Sequence, residues 1–252
     1  MTKSTDGPVE VAVDGTTVVI SLNRPAARNA LDEETIDGLH TVLAEWRNQR
    51  SILIVRSSTP GMFVAGADIA ELMQRGSDDA LRRINVGLFD ALAGHRWPTI
   101  AAIDGHALGG GCELALACDF RLATPTSVFG QPEADLGIIA GAGANWRLER
   151  LVGLSVARRI LLAGERLDGE AALAVGLVDQ LHPADELLDA ARELAERMAA
   201  RSWQALELTK AALRQADRPT TELDVTAQAV LFESEDKRER LQAFLDRKRP
   251  SG

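Results

Sequence analysis

The chain reads as a layered α/β protein followed by a helical tail, and three observations carry that reading. Short runs of β-branched and aliphatic residues alternate with segments of helical period through most of the sequence, as expected where strands pack against helices. Glycine-rich loops separate some of these strands from the helices that follow them. From about residue 184 the strand-like runs stop, and the chain becomes rich in Ala, Leu, Glu and Arg.

Each element has a local cause. Residues 9–13 and Thr17–Leu22 are β-branched runs split by Asp14-Gly15, a pair that reads as a tight hairpin turn. Residues 31–46 place Leu31, Ile36, Leu39, Val42, Leu43 and Trp46 at helical spacing. Acids at 32–34 suit the positive end of a helix dipole. Residues 51–56 contain Ile52-Leu53-Ile54-Val55, a short apolar run expected to be a buried strand. A glycine-rich loop over 61–66 then leads to a helix starting near Asp68. A helix is expected over 81–92, ended by Trp97-Pro98, and Thr99–Ile103 is the next buried strand. A second glycine-rich loop over 105–111 opens the apolar helix 112–118. Phe120–Ala123 and 127–129 are further strands, 147–162 and 168–174 helices, and 177–181 a last strand. Residues 184–249 are expected to be helical almost throughout. No internal sequence repeat or low-complexity linker stands out. The division expected is an α/β core over residues 1–190 and a helical region over 191–252.

Composition narrows the function. At 252 residues the chain suits one large domain, and 46% hydrophobic residues supply an ordinary core. A formal net charge of -9 is a poor footprint for nucleic acid, which favours a basic face. It leaves room for a small phosphate-bearing ligand held by a local cluster of Arg and Lys. Cys112 and Cys118 lie on one expected helix and form neither a metal-type motif nor a disulfide framework. No His/Asp/Glu cluster has metal-ligand spacing, and no serine sits in a nucleophile elbow. The polar first residues lack the apolar region of a signal peptide, and no apolar run approaches bilayer length. A cytoplasmic protein with no metal and no membrane contact is expected.

The chemistry concentrates in three places. In Gly109-Gly110-Gly111-Cys112-Glu113, glycines strip side chains from a helix N-terminus. Its unpaired N–H groups suit an anion or a developing oxyanion there. Val64-Ala65-Gly66-Ala67-Asp68 is a second such loop, and one N–H from each would make an oxyanion hole. Glu113 lies in an otherwise apolar helix, where a carboxylate must be hydrogen-bonded, paired or functional if buried. Glu133, after Pro132, stands at another helix start. Together the two carboxylates can hold a water and divide acid and base roles. Taken singly, each feature also has a plain structural explanation: a tight turn, or an acid favoured by a helix dipole.

Taken in order, Asn23-Arg24-Pro25, Asn29-Ala30-Leu31, Ala65-Gly66-Ala67-Asp68-Ile69, Ala107-Leu108-Gly109-Gly110-Gly111-Cys112-Glu113-Leu114-Ala115 and Phe129-Gly130-Gln131-Pro132-Glu133 resemble the crotonase (enoyl-CoA hydratase/isomerase) superfamily. The resemblance runs on through Gly141-Ala142-Gly143, Leu162-Ala163-Gly164-Glu165 and the final basic helix, so it covers nearly the whole chain. It implies a repeated ββα spiral with a C-terminal helical trimerisation region, forming a trimer or a dimer of trimers. It places the oxyanion N–H groups on Ala67 and Gly110 and the hydratase glutamates on Glu113 and Glu133. It sets Ala65, Asp68 and Ile69 along the acyl-CoA channel, and Arg24, Ala26 and Arg28 near the CoA nucleotide. Phe244 and Lys248 would meet the adenine and phosphates. The activity implied is hydration of a trans-2-enoyl-CoA without a cofactor, since CoA belongs to the substrate. An isomerase, a specialised dehydratase and an idle acyl-CoA-binding trimer are the alternatives.

Two departures stand out. Where many hydratases have Pro-Gly-Ala-Gly-Gly-Thr-Gln-Arg, this chain has Ala140-Gly141-Ala142-Gly143-Ala144-Asn145-Trp146-Arg147, so bulky Trp146 is expected near the acyl group. Asp135 adds a charge two residues after Glu133. Facing the site, it would raise the pKa of Glu133 by like-charge repulsion; facing solvent, it would do little.

Overall fold

The computed structural model describes residues 2–3, 7–215, 229 and 232–247. Its frame is two sheets wound by one spiral. Strand β1 (Thr2–Lys3) edges the larger sheet, next to the hairpin of β2 (Val9–Asp14) and β3 (Thr17–Leu22), whose register runs from Val9↔Leu22 to Asp14↔Thr17. Gly15, at φ 57°, closes the two-residue turn, a conformation that suits glycine. Beyond β3 come β4 (Ile52–Ser57), β6 (Thr99–Ile103), β8 (Phe120–Ala123) and the short β11 (Gln180–Leu181), all parallel. The smaller sheet holds β5 (Met62–Val64), β7 (His106–Leu108) and β9 (Val128–Gly130) in parallel, with β10 (Leu167–Asp168) antiparallel at its edge. Each turn of the chain therefore adds one strand to each sheet. This is a structural repeat without a sequence repeat.

The apolar runs of β3, β4 and β6 are continuous because both faces of the larger sheet are covered. Val18, Ile20, Leu53, Val55, Ala101 and Ile103 face the main core, which also receives Ile36, Leu39, Val42 and Leu43 of helix α1 (Glu33–Trp46). Asp32 caps α1, its carboxylate accepting from Thr35 N at 2.9 Å. Val19, Ile52, Ile54, Ile100, Ala102 and Leu122 face the other way, where Leu187, Ala191, Leu194, Ala195 and Met198 cover them. Those five residues lie on one helix, Leu187–Ala199, so residue 190 falls inside an element packed on the sheet.

Three expectations change in detail. The glycine-rich loops contain β5 and β7, strands too short to show a period. The helix expected over 81–92 is two, following α2 (Ile69–Gln74): α3 (Ser77–Leu81) and α4 (Ile84–Ala93) are parted by Arg83 at φ 57°, a left-handed residue that breaks the helical path. Of the strand expected over 177–181, only β11 pairs, while buried Leu177 and Val178 sit in the turn after Gly169–Ala174. Helix α5 (Gly110–Ala117) is buried along its whole length. Helix α6 (Ala144–Ala163) bends at Gly153. Near the C-terminus, α7 (Glu235–Arg247) lies against α2. Leu241 and Phe232 join Leu72 and Ile138 in a small apolar cluster, and Lys237 Nζ donates to Arg75 O at 2.7 Å.

Candidate active site

Two loops from successive turns of the spiral converge. One follows β5 and carries Ala65-Gly66-Ala67-Asp68; the other follows β7 and becomes the N-terminus of α5. Their approach needs glycine at 111, where a Cβ would stand 2.2 Å from Val64 O, and brings the loops together at 110, where a Cβ would lie in ordinary contact, 3.5 Å from Ala67 N. Leu31 N donates to Gly66 O at 2.8 Å and Asp68 N to Leu31 O at 3.0 Å, leaving the Ala67 N–H between them unused. The Gly110 N–H belongs to the first turn of α5 and has no helical partner. Among the described residues neither N–H meets an acceptor, so two adjacent backbone donors are available to a ligand.

The first loop is held from behind. Buried Asn29 donates to Ser57 Oγ at 2.7 Å and Phe63 O at 2.9 Å and accepts from Arg24 N at 2.7 Å, while Ala65 N donates to Arg28 O at 3.1 Å. Arg24 itself pairs with Asp32 at 2.8 Å and Asp68 at 3.6 Å and donates to Ala30 O. Asp68 also caps α2, accepting from Ala70 N at 3.0 Å. The structure thus gives Arg24 and Asp68 bracing contacts within the protein. Ala26 and Arg28 are exposed.

Both glutamates reach the same cleft. Glu113, on α5, is 3% exposed, and its Oε1 accepts from Ala142 N at 2.8 Å and Ala144 N at 3.1 Å. Glu133 opens a 3-10 turn, Glu133–Leu136, directly after Pro132. It packs on the second loop so closely that a Cβ on Gly109 would lie 3.1 Å from its Oε1. Burial, and then the charge of Glu113, hold the Glu133 carboxyl well above the usual carboxylate range. The amide of buried Gln131 lies 3.0 Å from both Glu133 oxygens; its nitrogen can donate to the ionised acid, or its oxygen accept from the protonated one. Asp135 is exposed.

The cleft measures about 830 Å³ including its open mouth. Ala65, Gly66, Ala67, Ile69, Gly109, Gly110, Glu113 and Glu133 line it, so the structure brings together most of the residues the sequence singled out. Asp68 and Trp146 are not among the lining residues. Trp146 instead lies beside two guanidinium groups of its own helix. Phe244 is on α7, partly exposed, and Lys248 lies outside the described residues. The sequence reading missed Arg75, Asp79, Arg83 and Asn85 on one wall and Phe232 on the other. No local pattern marks them: they meet only because α2, α3, α4 and the chain before α7 fold over the cleft. Among the described residues no group of His, Cys, Asp or Glu can hold a metal, and no helix is long and apolar enough to cross a membrane.

A two-sheet spiral that sets a pair of carboxylates beneath two converging backbone donors is the architecture of the crotonase fold. The chain belongs to the enoyl-CoA hydratase/isomerase family, which it matches over residues 13–251. It is 34% identical over 247 residues to a short-chain-enoyl-CoA hydratase of Clostridium acetobutylicum, covering 95% of each chain. It is 38% identical over 238 residues to a 2,3-dehydroadipyl-CoA hydratase of Escherichia coli, covering 92% of this chain and 93% of the relative. The crystal structure of an enoyl-CoA hydratase from Bacillus anthracis superimposes with a TM-score of 0.80 at 30% identity, covering 95% of this chain and 96% of that one.

Proposed function

We propose that the chain is an enoyl-CoA hydratase, adding water across the 2,3 double bond of a trans-2-enoyl-CoA to give a 3-hydroxyacyl-CoA. The observation that carries this reading is the placement of Glu113 and Glu133 in one cleft beside the unused N–H groups of Ala67 and Gly110. The thioester oxygen sits between those two donors. Negative charge grows on it as water attacks C3, so the donors act most strongly in the transition state. Glu113, held by two backbone N–H groups, takes the proton from water as its oxygen bonds to C3. Glu133, whose carboxyl burial and the charge of Glu113 push toward its protonated form, delivers a proton to C2. The oxyanion collapses back to the thioester carbonyl, and the net change is the addition of one water.

In this reading no cofactor takes part, and CoA arrives with the substrate. Arg24, Ala26 and Arg28 lie toward the nucleotide, the adenine packs on Phe244, and Lys248 meets a phosphate, since ammonium groups suit that charge. Exposed Leu208 and Leu213, on the helix Trp203–Gln215, give a trimer or a dimer of trimers apolar surface to cover. Free, buried Cys112 and Cys118 accord with a reducing, cytoplasmic setting. The test is loss of the enoyl-thioester absorbance when crotonyl-CoA is added to the purified protein. A chain that leaves the absorbance unchanged with crotonyl-CoA and with longer 2-enoyl-CoAs is not a hydratase.

A further inference from the structure

Glu113 is held by a loop, and that loop is held by Arg147. Ala142 N and Ala144 N donate to Glu113 Oε1, and between them stands Gly143 at φ 118°. Arg147 Nη1 donates to Ala142 O at 3.0 Å, and Arg147 Nη2 pairs with Asp90 Oδ1 at 2.8 Å. A Cβ on residue 143 would stand 2.1 Å from Arg147 Nη1, so the guanidinium occupies the space that glycine leaves. Asn145 Nδ2 adds a bond to Ala140 O at 2.9 Å. The guanidinium is buried, and a buried cation requires partners. It has them in Asp90, the Ala142 carbonyl and the face of Trp146, whose ring centroid lies 4.5 Å from the guanidinium carbon.

Trp146 belongs to this arrangement. Arg150 also lies over its ring, at 4.9 Å, while its indole N–H is buried without an acceptor. An unpaired buried N–H is unfavourable, so what the residue contributes comes from its ring face. The residue does not line the cleft, and its indole nitrogen lies 3.4 Å from where a Cβ on Gly143 would stand, against the loop that holds Glu113.

We propose that Arg147 and Trp146 are positioning residues for hydration: Arg147 fixes the 142–144 loop that orients Glu113 and supplies the positive charge behind that carboxylate, and the Trp146 ring holds Arg147 in place. This rests on the hydratase reading and on Glu113 as the base toward water. The charged groups facing the pair come from every side. Asp90, itself bonded to Arg83 at 3.0 Å, comes from α4; Arg214 acts from the helix Trp203–Gln215; Arg150 lies on α6 itself; and Glu133 faces Glu113 across the cleft. Arg147 is a buried cation whose partners include the loop that donates to Glu113, and the charge of Glu113 acts back on it.

The test is the pH profile of crotonyl-CoA hydration in four variants. Wild type comes first, since a folded wild type with no hydratase activity refutes the functional reading and this proposal with it. With an active wild type, Arg147→Gln is expected to lower kcat about tenfold or more, with KM within about twofold, because an aligned base is lost and no substrate contact is. Its acidic limb should move to higher pH by about one unit, because removing a nearby cation makes a carboxylate easier to protonate. Arg147→Lys keeps the charge and should restore the limb while kcat stays reduced, because an ammonium cannot bridge Asp90 and Ala142 O as the fork does. Trp146→Phe should resemble wild type. Trp146→Leu should lose a few-fold in kcat equally on short and long enoyl-CoAs. An unmoved acidic limb in folded Arg147→Gln overturns the proposal. So does a Trp146→Leu defect confined to the KM of long acyl chains, which would make Trp146 part of the acyl wall. Should Arg147→Gln fail to fold, the two Trp146 variants decide between these outcomes.

Discussion

The two glutamates of the cleft are one residue type in two unlike settings. Glu113 is carried by a fully buried helix and has backbone N–H donors on one of its oxygens. Glu133 begins a one-turn 3-10 segment, packs against the glycines of the second loop, and faces Glu113 across the cleft. Donors favour a charge; burial beside a like charge disfavours it. The contrast teaches that the division into base and acid is written in the surroundings. Two backbone N–H groups of a neighbouring loop on Glu113, against burial and a like charge that outweigh a single backbone hydrogen bond on Glu133, do the sorting.

The largest effect should come from removing either carboxylate. Glu113→Gln and Glu133→Gln should each lower kcat by about 10²-fold or more, the scale of general acid–base catalysis. The glutamine at 113 can still accept from Ala142 N and Ala144 N, so its loss of rate reports chemistry and not loop collapse. Full hydratase rates in either variant would erase the contrast. Next comes Gly110→Pro, which deletes one backbone donor while leaving both acids. It should lose about 10²- to 10³-fold in kcat with secondary structure retained by circular dichroism. A folded, fully active variant would show that the N–H of Gly110 does not touch the oxyanion.

Stability offers a reading that does not depend on rate. The folded-state pKa of Glu133 is raised, so above the unfolded carboxyl value, near 4.3, the unfolded chain releases a proton that the folded chain still holds. Stability therefore falls as pH rises from there toward the folded value. Glu133→Gln removes that decline, so its melting temperature should exceed that of wild type at pH 7–8. The gain in melting temperature should shrink toward pH 4. A gap independent of pH would mean that Glu133 is not held protonated. The smallest effect should be that of Asp135→Asn. Because Asp135 is exposed, the activity–pH profile should be unchanged, and a displaced limb would return it to the site.

Much of this was legible in advance, for physical reasons. The long buried strands announced themselves because both faces of β3, β4 and β6 need apolar residues. Glu113 was conspicuous as the one charge in an apolar helix. The strands β5 and β7 were hidden, since three residues carry no period and their pairing comes from the winding of the chain. The break at Arg83 was hidden too, because a left-handed residue other than glycine is imposed by packing and leaves no local mark. The resemblance pointed Arg24 and Asp68 toward the ligand; their ion pair and the helix cap add bracing contacts that the sequence did not announce. The polar wall of Arg75, Asp79 and Asn85 could not be read from sequence, because its members gain meaning only from the loops they face.

The pairing of β5 with β7 sets the distance between the two donor loops, through the Met62↔His106 and Val64↔Ala107 register and the backbone contact of Gly111 on Val64. Between those strands the chain makes a long excursion through α2, α3 and α4, which supplies much of the wall of the cleft. The spacing of the donors is thus set by strand register first, with Asn85 of the excursion lying against Gly110. The last part of the excursion is tied to the reaction centre all the same: Asp90 on α4 pairs with Arg147, and Leu88 and Phe89 belong to the main core. For anyone diversifying this scaffold, residues 69–81 are the editable module, and α4 with the two strand ends the fixed chassis.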